Sequence, residues 1–106
     1  MDDGPEPRRV TVLVEHYWPG VTAEAFQLAA ERVHMSASEL ARAGESIRYL
    51  HGTLVPGEES AFCVFEAASV ELVGRAYEDA GVQFERLSIA LEVDVVRDAE
   101  GSLATQ

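Results

Sequence analysis

From Thr22 to Gly44 the apolar residues Phe26, Ala29, Ala30, Val33, Ala37, Leu40 and Ala41 fall three and four apart. That is the period of one face of an α-helix. Thr22 has the side chain of an N-cap, Glu24 suits the positive end of the helix, and Gly44 serves as the C′ residue that stops it. Burying the stripe contributes on the order of 1–2 kcal/mol for each large side chain, less for the alanines. What flanks this helix decides the fold.

Before it, "VTVLVEHY" is rich in β-branched residues and reads as a strand over Val10–Tyr17. Its two faces are Val10, Val12, Val14, His16 and Thr11, Leu13, Glu15, Tyr17, and Pro19-Gly20 ends it. After the helix, Ile47–Val55 and Ala61–Glu66 form the arms of a hairpin around "PGEES". Ser69 then caps a second helix, with Leu72, Val73, Ala76, Tyr77 and Ala80 along one side and Gly81 as its stop. Gly74 inside it costs roughly 1 kcal/mol against alanine. In "RLSIALEVDVV", Leu87, Ile89, Leu91 and Val93 alternate with polar or small residues, as in an edge strand with one dry face.

The order β-α-β-β-α-β is that of the α+β ferredoxin-like arrangement. Right-handed crossovers place both helices on one face of a four-stranded antiparallel sheet ordered 4-1-3-2. A chain of 106 residues is one domain's worth. The folded part is expected over 9–96, with loose polar ends at 1–8 and 97–106.

The second face of that sheet has no helix over it, yet the third strand is apolar on both sides, with Phe62 and Val64 on one and Cys63 and Phe65 on the other. Something must cover it. A second copy, sheet on sheet as in a dimeric α+β barrel, is the expected cover, and a ligand pocket between the sheets is compatible with it.

If all five residues of "PGEES" form the loop and Val55 pairs with Ala61, then Tyr49, His51, Thr53, Cys63 and Phe65 share one face. His51 and Cys63 become diagonal neighbours, a donor pair suited to zinc, nickel or copper. A change of one residue in the loop sends His51 to the other side. Glu15 and Tyr17 join from the first strand, or His16 if the faces fall the other way. Two ligands alone do not make a metal site, and no CxxC, HxH or HExxH motif supplies more.

Charge narrows the partners. Eight basic and 19 acidic residues give 8 − 19 = −11, a field that repels nucleic-acid phosphates and anionic lipid. No apolar run approaches the ~20 residues of a membrane span. The N-terminal "MDDGPEPRRV" lacks the basic and apolar regions of a signal peptide, so a cytoplasmic address is expected. One cysteine cannot form an internal disulfide.

"VEHYWPGVTAEAFQLAAE", "IRYLHGTLV", "FCVFEA" and "YEDAG" resemble, in order and spacing over roughly residues 10–93, a family of small bacterial ferredoxin-like proteins that includes a nickel-binding, nickel-responsive member. The resemblance implies a homodimer in which the sheets meet, with binding of nickel or another divalent transition metal. His51, Cys63, Glu66 and Glu15 match family positions. Where relatives often show a histidine in an "REHA"-like stretch of the second helix, this chain has "GRAY", with Ala76 at that place. The expected function is therefore a small homodimer binding a metal through His51 and Cys63, or a small apolar ligand in a pocket lined by Leu13, Tyr49, Thr53 and Phe65. The alternative is a cofactor-independent isomerase, cyclase or monooxygenase with His51 as acid or base and Glu15 and Tyr17 positioning the substrate.

Overall fold

The computed structural model describes residues 8–93. The end segments expected at 1–8 and 97–106 lie outside these residues, Arg8 apart. The chain order is β1 (Val10–Tyr17), α1 (Ala23–Arg42), β2 (Ile47–Val55), a 3-10 turn (Pro56–Glu58), β3 (Ser60–Ala67), α2 (Val70–Ala80) and β4 (Arg86–Ala90). The strands form one antiparallel sheet in the order β2-β3-β1-β4. This is the ferredoxin-like arrangement expected from the sequence.

Both helices begin and end where their caps stand. Thr22 accepts from the Ala25 amide at 3.0 Å and Ser69 from the Leu72 amide at 3.2 Å, each satisfying one of the orphan donors of a helix N-terminus. Gly81, at φ +70°, closes α2 in the left-handed region. Phe26, Val33, Ala37 and Leu40 of α1 are buried, together with Leu72, Val73, Ala76 and Tyr77 of α2. They lie over Val12, Val14, Cys63, Phe65 and Ile47 of the sheet in one continuous core. Fully burying each large side chain contributes about 1.5–3 kcal/mol. Ser36 is also buried, off the expected stripe, because its hydroxyl donates to the Ala76 carbonyl at 2.8 Å and ties the helices together. Ala41, expected in the stripe, is exposed.

β4 is shorter than its alternation suggests. Among the described residues its one neighbour is β1, the pairing ends at Thr11–Ala90, and β1 itself begins at Val10. Glu92 and Val93 therefore lie past the end of β1, and Leu91, opposite Val10, does not pair. The expected dry face is not dry either: Leu87 is half-buried, but Ile89, Leu91 and Val93 are exposed by 59%, 87% and 82%.

Candidate functional site

The β2–β3 register separates residues that the sequence places together. Val55 pairs with Ser60 rather than Ala61, because the turn closes one residue earlier with Glu59 in the left-handed region at φ +54°. His51 consequently faces Val64, Gly52 faces Cys63, and Thr53 faces Phe62. The register then shifts between Tyr49 and His51, where Leu50 is the extra residue of a β-bulge, and Tyr49 is returned to Phe65. Tyr49, Cys63 and Phe65 thus lie on the helix-covered side. His51 and Thr53 lie on the open side with Leu13, Glu15 and Tyr17. The sheet stands between the imidazole of His51 and the thiol of Cys63, so the expected two-ligand pair does not form within the chain. His51 is exposed and Cys63 fully buried.

On the open side the register sets out rows across the sheet. One runs His51, Val64, Leu13, Ser88, and the next Thr53, Phe62, Glu15, Arg86. Leu13, Phe62 and Val64 are half-buried at the centre with no helix above them. Charge surrounds them. Arg86 donates to the same carboxylate oxygen of Glu15 from Nε at 3.2 Å and Nη2 at 3.1 Å. Glu66 takes looser pairs with Arg9 at 3.7 Å and Arg48 at 3.9 Å. These pairs are largely solvated and each contributes no more than about 1 kcal/mol.

The helix-covered side holds a connected set of polar groups. The Nε2 atom of His16 lies 3.0 Å from the Tyr77 hydroxyl, and the Tyr49 hydroxyl lies 3.8 Å from the Cys63 sulfur. Tyr77 and Cys63 also influence each other's ionisation, so His16, Tyr77, Cys63 and Tyr49 form one electrostatically linked group. Burial pushes the Cys63 thiol up, opposed in part by hydrogen bonds from Tyr77 and Tyr49. Burial likewise raises both tyrosines, with the neighbouring Cys63 adding to it. The thiol is therefore protonated at neutral pH, the state of a structural cysteine rather than a nucleophile. Burial lowers the pKa of His16, and the Gln83 backbone partly counters it. His16, in the sequence only an alternative to Glu15 and Tyr17, extends the Val10, Val12, Val14 face of β1. That parity was the available signal. Nothing local could mark its partner, 61 residues away in α2.

Trp18, beyond the end of β1, is half-buried against the core. Its amide donates to the Glu59 carbonyl at 2.8 Å, tying the hairpin turn to β1. His34 is exposed on α1, with its ring 5.3 Å from that of Tyr49. Ala76 is fully buried, and its carbonyl accepts from Ser36 of α1.

A protein-bound transition metal needs at least three or four nitrogen, sulfur or oxygen donors converging on one point. Among the described residues no three His, Cys, Asp or Glu side chains do so. The described residues of one protomer by themselves offer no three-donor set for a nickel ion.

No curated protein matches the chain in sequence. Among solved structures it is similar to the crystal structure of SCO4226 from Streptomyces coelicolor A3(2), with a TM-score of 0.64 and 18% identity over 79% of this chain and 99% of the other. At that identity the likeness speaks for the fold. A family described as nickel responsive protein SCO4226-like matches residues 13–89, most of the chain. The chain belongs to this SCO4226-like family of nickel responsive proteins.

Proposed function

We propose that the protein is a small homodimeric binding protein whose open sheet faces meet, and that it responds to a divalent transition metal such as nickel. The observation that carries this reading is the open face, where Leu13, Phe62 and Val64 form an apolar centre beside the exposed imidazole of His51. An apolar sheet centre without a helical cover is the surface that a second copy buries. Because the described residues of one protomer hold no converging donor set, the ligands for a metal come from two copies, with His51 as the donor this face contributes. Cys63, on the covered side, takes no part. The family's description as nickel responsive supports nickel as the ion to test first.

The enzyme reading has less beneath it. β3 lies between β2 and β1, so His51 is two strand spacings and one row, about 12 Å, from Glu15. Arg86 holds the Glu15 carboxylate, and His51 is exposed rather than set in an apolar pocket.

Sedimentation velocity and calorimetry with nickel chloride test the proposal. The expected result is a dimer that takes up no more than one ion per two chains, with heat that His51→Ala removes and Cys63→Ala leaves. A chain that stays monomeric at micromolar concentration with and without nickel overturns the dimer. Heat unchanged in His51→Ala overturns the ligand assignment.

A further inference from the structure

Between the end of β1, α1 and the segment that links α2 to β4 lies a half-enclosed cavity of about 310 Å³. It is on the helix side of the sheet, and of the open-face residues named above Tyr17 alone lines it. Its wall includes the side chains of His16, Trp18, Arg32, Val82 and Phe84. His16 is only 5% exposed and is fixed by the Tyr77 hydroxyl at 3.0 Å. Phe84 stands edge-on to Tyr77, ring centres 5.4 Å apart, yet keeps 38% of its surface open. An indole and a phenyl ring on the wall of a partly closed space offer faces and edges to a flat apolar molecule.

Arg32 supplies the polar end. Its Nη2 donates to the Ala80 carbonyl at 2.6 Å, the last residue of α2, which fixes the guanidinium while leaving its other N–H groups for a ligand. No carboxylate among the described residues pairs with it. A fixed guanidinium with free donors matches a carboxylate in fork geometry. A dianionic phosphate is the poorer fit, since a single cation faces it, Glu85 also lines the cavity, and the whole chain carries a formal charge of −11. Size points the same way. A cavity of about 150 Å³ already takes up benzene, so this one has room for one ring and a short acidic arm, or for two rings.

We propose that this cavity is a binding site for a small aromatic carboxylate, its ring lying against Trp18 and Phe84 and its carboxylate on Arg32. The site sits at the lower end of the ~300–1,000 Å³ range of small-molecule pockets, and its wall is mixed, with Trp18, Val82 and Phe84 set among His16, Arg32, Gln83 and Glu85.

Trp18 is the chain's only tryptophan, so its emission, excited at a wavelength the probe does not absorb, reads the site directly. The probes are 3-phenylpropionate and its neutral analogue 3-phenylpropionamide, followed also by the indole N–H signal in nitrogen-15 NMR. The expected result is a saturable change with the acid and at least tenfold weaker binding of the amide. Arg32→Gln is expected to abolish that preference, Arg32→Lys to keep part of it, and Phe84→Ala to weaken both probes. Far-ultraviolet circular dichroism checks the fold of each variant. If Arg32→Gln does not fold, the acid-to-amide ratio in the wild type and in Arg32→Lys decides. The proposal is overturned by the absence of a saturable signal with the acid, by equal binding of acid and amide, or by a folded Arg32→Gln that binds the acid as the wild type does.

Discussion

Gly52 is the residue that lets the Tyr49 hydroxyl reach Cys63. It faces Cys63 across the β2–β3 ladder, and a Cβ built there comes 2.8 Å from the Tyr49 hydroxyl and 3.0 Å from the Cζ of Phe26. The first contact is shorter than real Cβ atoms make, and the second involves a buried ring that has little freedom to withdraw. Gly52→Ala is therefore expected to lower stability by about 1–3 kcal/mol, the cost of overpacking. A urea titration would show it as a shifted midpoint at unchanged slope, and an unmoved midpoint would mean that the two rings yield freely. His51, one position away, is the opposite case. Its ring is exposed on the open face, so removing it belongs with surface substitutions, usually within ±0.5 kcal/mol. That makes His51→Ala a clean variant for metal binding, because lost heat could not be put down to lost folding.

Among the elements, α2 is the one held by packing rather than by propensity. It has 11 residues, below the ~12–15 at which an isolated helix becomes even marginal in water, and Gly74 sits in its middle. A Cβ at Gly74 meets only the flexible Cδ1 of Leu87, at 3.4 Å. The backbone there is helical, so alanine adopts it without strain. Gly74→Ala is expected to stabilise the fold by about 0.5–1 kcal/mol, raising the calorimetric melting temperature by a few degrees. A lower melting temperature would show that Leu87 cannot give way. The helices and β1 were legible in the sequence because each is specified by its own residues, the caps Thr22 and Ser69, the stops Gly44 and Gly81, and the valines of β1. The hairpin was legible as a hairpin but not in register, because register depends on an agreement between two segments. The needed hint was present: Ile47 and Tyr49 are odd-numbered, Leu54 is even-numbered, and all three turn toward the core. A change of parity within one strand requires an extra residue, and Leu50 supplies it. The candidate metal pair was lost to that same slip, since period-two alternation turns one residue of error into the opposite face. β4 failed differently. Its alternation is real, but the partner strand β1 runs out before the pattern does.

At the scale of the whole molecule, one face of the sheet is sealed by helices and the other is bare, so a group buried on the sealed side titrates with the folding of the entire chain. His16 is such a group, held below its ordinary value of 6.5 chiefly by burial. In the unfolded chain its imidazole takes up a proton as the pH falls through 6.5, while in the folded chain it stays neutral until a lower pH. The unfolded state then binds more protons, and stability falls as the pH drops below 6.5, until the folded-state value is reached. The slope for a single group cannot exceed about 1.4 kcal/mol per pH unit. Urea midpoints measured between pH 7.5 and 5.5 are expected to decline for the wild type. His16→Gln can keep a hydrogen bond to Tyr77 but cannot titrate, and it is expected to show a flatter profile even if its stability is lower throughout. The comparison is of slopes, so an offset between the two proteins does not affect it. Equal slopes would mean that protonated His16 is accommodated in the fold, with water or the Gln83 backbone reaching the ring.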